Sequence, residues 1–367
     1  MVFRAFRGMQ GKHFALLTAS CAIFVLFAVV HLEGEISRLD AARSKLENAL
    51  GRIQLENTEH ARRRLPSSYT KEDYQETTGS RGKTDDQIII YNRVPKTAST
   101  SFAGIAYDLC NVNKFHVLHL NVTKNMHILS LSDQMRFVHN ISSWSAMKPA
   151  LYHGHLAYLE FTRFGVTQMP LYINIIRDPL DRLVSYYYFV RNGDDFRPHV
   201  KRRKSGNRQS FDECVARDGP DCDPESLWMQ IPFFCGHSAE CWVPGNRWAL
   251  EQAKYNLVNN YLVVGVTEEL ADFVAVLEVT LPRFFKGAME LFNSGRKSHL
   301  RKTFNKVSPS EETIAKIQES DIWKMENEFY EFAKEHFHFV KRRTFAIKNG
   351  VLLEKGLQFM YEKIRPR

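Results

Sequence analysis

Short runs of β-branched and aliphatic residues alternate with stretches of helical periodicity along most of this 367-residue chain. The clearest run, residues 87–91 (QIIIY), is bounded by polar residues, as a buried strand is. We predict further strands at 115–120, 150–153, 171–176 and 261–266, and helices at 102–110, 132–140, 179–191, 268–277 and 322–337. Strands that alternate with helices predict an α/β fold, in which one domain has a central, mostly parallel sheet flanked by helices and a ligand site beyond the carboxyl ends of the strands.

An apolar segment precedes this domain. Residues 14–30 carry no charged side chain, and a helix of that length would span roughly 25 Å. Basic residues precede the segment and acidic residues follow it: Arg4, Arg7 and Lys12, then Glu33 and Glu35. This pattern predicts a cytosolic tail at 1–13, an uncleaved transmembrane signal-anchor at 14–32 and a luminal remainder, as in a single-pass type II membrane protein. A cleaved signal peptide is the alternative, although its apolar stretch would normally be shorter and end in small residues.

Residues 33–84 are predicted to form a helical stalk and a linker that lead to the domain at 85–367. Apolar residues recur every seven positions at Leu32, Leu39, Leu46 and Ile53. The spacing fits a coiled coil or a solvated amphipathic helix equally well, because three heptads are marginal for a coiled coil. From residue 62 to 86 the chain is polar and nearly empty of large aliphatic residues, which indicates a flexible linker.

Two further patterns fit a luminal location. Asn121 and Asn140 each begin an N-x-[ST] triplet, the acceptor for N-glycosylation. Four of the six cysteines form two close pairs, which in an oxidising compartment predict the disulfides Cys214–Cys222 and Cys235–Cys241. Zinc binding is the alternative for these four residues, but their spacings differ from the two-residue gaps of zinc knuckles.

A loop of small and hydroxyl-bearing residues joins the first predicted strand to the first predicted helix. Its N–H groups and the start of the helix would bind an anion, and Lys96 adds a cation. The further donors follow in one run: Thr97, Ala98, Ser99, Thr100 and Ser101. No G-x-x-x-x-G-K-[ST] sequence occurs here and no acidic residue is placed to hold magnesium, so we expect side chains and no metal to neutralise the anion. An ordinary strand-to-helix turn is the alternative.

The string at 93–102 (RVPKTASTSF) resembles the 5′-phosphosulfate-binding loop of the membrane-bound carbohydrate sulfotransferases, which use 3′-phosphoadenylyl sulfate. Residues 176–188 resemble the second motif of that family, which implies that Arg177 and Ser185 bind the 3′-phosphate. Four segments, 152–155, 230–237, 297–303 and 320–330, are similar to the branch that sulfates uronic acids of heparan sulfate. The resemblance implies a Golgi enzyme, a homotrimer and a P-loop-like sulfotransferase domain. It also implies that four residues close over the nucleotide: Ser298, Arg301, Lys302 and Thr303.

Sulfuryl transfer to a sugar hydroxyl needs a base to remove the hydroxyl proton and a cation to stabilise the departing phosphate. Histidine suits the first role, because its unperturbed pKa of about 6.5 leaves much of it neutral in a mildly acidic compartment. By resemblance, His155 is the expected base and His153 its neighbour in the acceptor site, while Lys96 would stabilise the phosphate. Gly154 between the histidines is expected to leave room for a bulky saccharide.

Lys and Arg number 50 against 41 Asp and Glu, and the net charge of +9 favours a polyanionic partner. Arg93, beside the loop, and Arg202, in the basic run 201–204, are expected to meet sulfates or carboxylates. The resemblance adds four acceptor-binding residues: Tyr107, His119, Lys124 and Asn125. We expect sulfation of the 2-hydroxyl of iduronic, and less readily glucuronic, acid in heparan sulfate, and no nucleic-acid partner. The alternatives are dermatan or chondroitin sulfate as acceptor, or a heparin-binding membrane protein without catalysis.

Overall fold

The structure is a computed structural model that describes residues 31, 34, 85–122, 126–294, 302–348 and 351–356. The chain divides into two units, Met1–Arg81 and Gly82–Arg367, and the second contains nearly all the described residues. The predicted cytosolic tail, membrane span and stalk lie outside the described residues, apart from His31 and Gly34. Within the described ranges, no helix combines the length and the apolarity needed to cross a membrane.

A five-stranded parallel sheet lies at the centre of the second unit, as predicted. Its strands are β1 Ile88–Asn92, β2 His116–Leu120, β3 Ala150–Gly154, β4 Leu171–Ile176 and β5 Tyr261–Val266, in the order β2-β3-β1-β4-β5. The chain runs to one edge of the sheet after β1 and to the other edge after β4. A crevice therefore opens beyond the carboxyl ends of these two adjacent strands, which is where ligands bind in open α/β sheets.

Helices flank the sheet at nearly the predicted positions. In chain order they are α1 Ser99–Leu109, α2 Leu131–Ser143, α3 Pro179–Asn192, α4 Phe211–Ala216, α5 Gln230–Cys235, α6 Arg247–Asn260, α7 Leu270–Thr280, α8 Pro282–Phe285, α9 Ala288–Asn293, α10 Glu311–Gln318 and α11 Asp321–Thr344. The five predicted helices correspond to α1, α2, α3, α7 and α11. The sequence-based prediction missed the other six described helices, of which α6 is the longest, and an antiparallel hairpin, β6 Phe345–Lys348 and β7 Val351–Glu354.

Aromatic packing holds α1 against the end of β1. Phe102 of α1 is fully buried, and its ring centroid lies 5.0 Å from that of Tyr91 in β1, 5.3 Å from that of Phe273 and 5.7 Å from that of Phe285. Burial of one such ring contributes about 2–3 kcal/mol. The amino end of α1 is therefore fixed at the crevice.

Both predicted disulfides, Cys214–Cys222 and Cys235–Cys241, are present, so the zinc alternative is wrong for these four residues. The first disulfide lies in a separate apolar cluster with the inner face of α3, and the second lies in the main core. The side chains of Asn121 and Asn140 are exposed, as attachment of a glycan requires. Their glycosylation stays a prediction.

Candidate active site

The loop after β1 has a constrained backbone. Lys96 and Ala98 have φ angles of 70° and 57°, a region that residues other than glycine rarely occupy. Thr97 between them is fully buried, and its hydroxyl donates to the Val94 carbonyl at 3.0 Å. Because the Thr97 hydroxyl is used in this way, Thr97 can offer a ligand its main chain only. Backbone strain of this kind is concentrated at functional sites.

The first of two cavities in the crevice, here called the loop cavity, lies between this loop and α3. Its volume is about 160 Å³. It brings together six of the residues predicted to bind the nucleotide, namely Lys96, Ala98, Ser99, Thr100, Arg177 and Ser185, together with His155 and Phe189. Four described residues of the predicted set do not line it: Thr97 is buried beneath the loop, Ser101 faces the second cavity, and Lys302 and Thr303 belong to a distant segment of the chain.

Hydrogen bonds connect the loop to a segment far along the chain. Lys96 Nζ donates to Thr303 Oγ1 at 3.1 Å, and Ser185 Oγ lies 3.5 Å from the same oxygen. Thr303 is buried and forms an antiparallel bridge with Asp194, just after α3, while Lys302 is exposed. The structure therefore places Thr303 beside Lys96 and Ser185, two lining residues of the loop cavity, and its closing over the nucleotide stays a prediction.

Arg177 follows β4 and lies across the loop cavity from α1. Its guanidinium donates to the Lys96 carbonyl at 3.5 Å and to Asp181 Oδ2 at 3.2 Å. Its Nε is buried and has no hydrogen-bond partner among the described residues. A buried guanidinium N–H without an acceptor fits a bound anion, because leaving such a donor unpaired costs about 1–3 kcal/mol.

The second cavity, here called the histidine cavity, lies beyond the ends of β2, β3 and β1. Its volume is about 880 Å³. Its lining is rich in ring and guanidinium groups: Arg93, Tyr107, His119, His153, His155, Phe189, Phe196, Arg197 and Arg202. Thr100, His155 and Phe189 line both cavities, so the border between them is formed by these three residues.

His155 is held in one orientation at this border. Its Nδ1 lies 2.8 Å from the carbonyl oxygen of Arg93, and because a carbonyl only accepts, Nδ1 carries a proton and the neutral ring keeps its lone pair on Nε2. His127 Nδ1 in turn donates to the His155 carbonyl at 3.2 Å. Burial, and then the nearby charge of Arg93, lower the pKa of His155 to about 4. The ring is therefore neutral near pH 6.

His153 faces the histidine cavity from the end of β3. Its Nε2 lies 2.9 Å from the Tyr107 hydroxyl, and its ring stacks on His119 with centroids 5.0 Å apart. Burial, and then the charges of Arg93 and of neighbouring histidines, lower its pKa to about 3. His119 Nε2 lies 3.4 Å from the Arg93 guanidinium, and burial followed by that charge lowers its pKa too. These four predicted residues, Arg93, Tyr107, His119 and His153, therefore form one connected cluster.

Gly154 has a structural role in the sheet that was not expected. A Cβ atom at this position would lie 2.7 Å from the Cβ and the carbonyl oxygen of Leu120 in β2. The glycine is required by the close pairing of β2 and β3, and the expectation that it leaves room for a saccharide stays a prediction.

Phe189 of α3 was not predicted, yet it contacts a cation from each cavity. Lys96 Nζ and the guanidinium carbon of Arg202 each lie 4.3 Å from the centroid of its ring, within the range of a cation–π interaction. Arg202 also donates to the buried carboxylate of Asp194 at 3.3 Å. Nothing in the local sequence identifies Phe189, because both cations come from distant segments.

Four predicted site residues, Lys124, Asn125, Ser298 and Arg301, lie outside the described residues. In the parts of the chain that the structure describes, no group of three or more His, Cys, Asp or Glu side chains could hold a metal ion.

The sequence is similar to known proteins over nearly its whole length. Residues 83–333 match the model of the sulfotransferase family. Heparan sulfate 2-O-sulfotransferase 1 of Homo sapiens is 57% identical over 340 residues, 93% of each chain, and that of Xenopus laevis is 58% identical over 359 residues, 98% of each chain. A heparin sulfate O-sulfotransferase of Drosophila melanogaster is 51% identical over 366 residues, 98% of this chain and 97% of its own. The resemblance inferred from the motifs is confirmed.

Proposed function

The chain belongs to the sulfotransferase family and is an enzyme of that family, and from this premise we propose that it transfers the sulfuryl group of 3′-phosphoadenylyl sulfate to the 2-hydroxyl of uronic acid residues in heparan sulfate. Iduronic acid is the preferred residue and glucuronic acid the poorer one. The names of relatives 51–58% identical to this chain support the polysaccharide. Membership of an enzyme family sets aside the alternative of a heparin-binding protein without catalysis.

One observation carries the proposal: His155 lines both cavities. The loop cavity offers the hydroxyl, main-chain and cationic groups that phosphates need, and the buried Nε of Arg177 fits an anion there. The histidine cavity is several times larger and carries three arginines, Arg93, Arg197 and Arg202, which suit a sulfated, carboxylated polymer. A base at the border can reach an acceptor hydroxyl on one side and a donor on the other.

The donor supplies an activated sulfuryl group whose leaving group is a phosphate. Lys96 and Thr303 would hold that phosphate, and Arg177 with Ser185 would hold the 3′-phosphate. His155 Nε2 would accept the proton of the acceptor hydroxyl while its Nδ1–H stays bonded to the Arg93 carbonyl. The ammonium of Lys96 would stabilise the negative charge that develops on the phosphate, an effect worth roughly 3 kcal/mol per contact.

The test offers labelled donor with heparan, dermatan or chondroitin sulfate to the purified protein and maps the sulfated position after digestion. We expect label on the 2-hydroxyl of iduronic acid in heparan sulfate. His155→Gln should abolish transfer and keep nucleotide binding, while His139→Gln, an exposed histidine of α2, should change neither. Preferred labelling of dermatan or chondroitin sulfate would establish the second candidate acceptor. Loss of nucleotide binding in His155→Gln would contradict its role as base.

We further propose that the protein is a type II Golgi membrane protein with a luminal catalytic domain, and a homotrimer. The charge-free segment 14–30, its basic flank and the two disulfides support the location. Protection of residues 85–367 from protease in sealed Golgi vesicles would test the topology, and light scattering of the purified protein would test the trimer. Cleavage without detergent would refute the topology, and a monomeric mass would refute the trimer.

A further inference from the structure

Helix α11 contacts the turn between β4 and α3 through two chains of polar groups, of which the first is buried and the second includes the exposed side chain of Glu268. This turn carries Arg177. The sequence segments that build the chains, 230–237 and 320–330, are fully described, and neither contributes a lining residue to the loop cavity or the histidine cavity. Their role therefore lies in contacts behind the cavities.

The first chain runs through Gln230, whose side chain is fully buried. Its Oε1 accepts a hydrogen bond from the Arg177 N–H at 2.9 Å, and its Nε2 donates to the Arg177 carbonyl at 2.9 Å. Nε2 also donates to Glu326 Oε2 of α11 at 3.4 Å. Glu326, equally buried, accepts at Oε1 from the N–H groups of Met229 and Ile231 at 2.8 and 3.1 Å. Both main-chain groups of Arg177 are thereby tied to α11.

The second chain reaches the next residue. The Tyr330 hydroxyl of α11 donates to Glu268 Oε2 at 3.2 Å, and Glu268 Oε1 accepts from the N–H of Asp178 at 3.3 Å. Tyr330 is 4% exposed, and Asp178 is the residue that caps the amino end of α3. Glu326 and Tyr330 are four residues apart and therefore lie on one face of α11. Through Gln230 and Glu268, they bind the two successive peptide units on either side of the Arg177 Cα atom.

We propose that Glu326 and Gln230, assisted by Tyr330 and Glu268, are positioning residues that orient Arg177 toward the 3′-phosphate of the donor. The inference rests on the proposed function, in which Arg177 binds that phosphate. Among the described residues, two contacts hold the guanidinium of Arg177. One is a 3.5 Å contact with the Lys96 carbonyl, and the other is with the half-exposed carboxylate of Asp181. Its direction therefore depends on how firmly its main chain is fixed.

The residue types match this task. Among uncharged side chains, an amide offers a donor and an acceptor side by side, as an adjacent strand would, so Gln230 can satisfy both groups of one residue. Its orientation must be fixed, because a flipped amide would place donor against donor and acceptor against acceptor. Glu326 fixes it by accepting from Nε2 only. Burial raises the pKa of Glu326, and the positive charge of buried Arg182 in α3 offsets part of the cost of burying this carboxylate.

The test compares, by calorimetry on the purified full chain, the binding of adenosine 3′,5′-bisphosphate and of adenosine 5′-phosphate. Glu326→Gln keeps the shape but introduces an N–H₂ group that must face either Gln230 Nε2 or the N–H groups of Met229 and Ile231. We expect affinity for the bisphosphate to fall about tenfold and affinity for the monophosphate to change less than about twofold. Tyr330→Phe, which removes only the hydroxyl, should give the same selective loss at about threefold.

Glu278→Gln is the matched control, because Glu278 of α7 accepts from two main-chain N–H groups, those of Gly287 and Met289, at 3.0 and 2.7 Å. It should bind both nucleotides as the unaltered protein does. In the Arg177→Ala background, Glu326→Gln should cause no further loss of selectivity, because the residue it positions is gone. A structural role alone would still lower both affinities in that background.

Three results would overturn the inference: unchanged selectivity in a folded Glu326→Gln protein, an equal loss for both nucleotides, or a selective loss that persists in the Arg177→Ala background. If Glu326→Gln does not fold, Tyr330→Phe decides by the same criteria. A different result would separate the two proposals. If the unaltered protein binds both nucleotides equally, the assigned role of Arg177 fails, and the positioning inference falls with it.

Discussion

Acidification tests the environment of His155 quantitatively. Burial and the charge of Arg93 lower its pKa to about 4, so at pH 5.5 about 97% of the imidazole is neutral. With an unperturbed pKa of about 6.5, only about 10% would be neutral at that pH. Because a base must be unprotonated to accept a proton, kcat/KM for the acceptor should change less than about twofold from pH 7.5 to 5. It should then fall about tenfold per pH unit below pH 4.

The assay measures initial rates of labelled sulfate transfer with both donor and acceptor at concentrations well below their KM values, where the pH profile reports groups of the free enzyme. Ionic strength is held constant, because contacts with a polyanion weaken with salt. Return to pH 7 after each incubation checks that acid has not unfolded the protein. The imidazole NMR resonances of the unliganded protein give the pKa of His155 directly.

Two substitutions test whether the charge of Arg93 contributes to the low pKa of His155. Arg93→Gln removes a charge that lowers the pKa of His155, so the acidic limb of the kcat/KM profile should move to higher pH. This shift is expected even if the rate at the plateau of the profile changes. Arg197→Gln removes an equal charge from the same cavity, but one that acts on the pKa of His119, and should leave the limb in place. A limb near pH 6.5 in the unaltered protein would refute the reasoning, and so would an equal shift in both variants.

Three further predictions concern single contacts. Lys96→Met should lower kcat about 100-fold, since the ammonium stabilises charge that develops during transfer, and affinity for adenosine 3′,5′-bisphosphate should fall far less; equal losses would contradict this. Phe189→Leu should raise KM for donor and acceptor a few-fold while Phe189→Tyr does not, because only a ring holds both cations; steady-state kinetics would show it. Gly154→Ala should lower the Tm measured by calorimetry, and the additional change Leu120→Ala should restore part of it.

Four of the five strands of the sheet could be predicted from sequence because they are buried on both faces, whereas the edge strand β2 is partly exposed. β4 and β5 were predicted without error in their bounds and β1 within one residue, since burial makes such strands continuous apolar runs. Helix α6 was missed because its apolar residues lie on more than one face: Trp248 and Tyr255 are exposed while Leu250 is buried, which blurs the helical period.

The hairpin β6–β7 was missed although its sequence contains a signal. Asn349-Gly350 stands between the two strands, and this dipeptide between apolar runs is a strong indicator of a two-residue turn. The prediction of alternating strands and helices gave no reason to look for an antiparallel pair after the last helix.

The site could be predicted only where its chemistry is local in sequence. Lys96 and His155 each lie in a short motif after a strand, and the structure brings them to one crevice. The supporting residues depend on pairs distant in the chain: Gln230 and Glu326 are 96 positions apart. A glutamine in an apolar helix or a glutamate in an amphipathic one has an ordinary local pattern, and only the fold gives it a partner.

An aromatic ring suits the border between two cavities that would bind anionic ligands. A carboxylate at the position of Phe189 would also attract Lys96 and Arg202, but it would repel anionic ligands on both sides. The ring of Phe189 attracts the same two cations and carries no net charge. Phe189 therefore helps to orient both cations without adding a negative charge, which would oppose both a departing phosphate and a polyanionic acceptor.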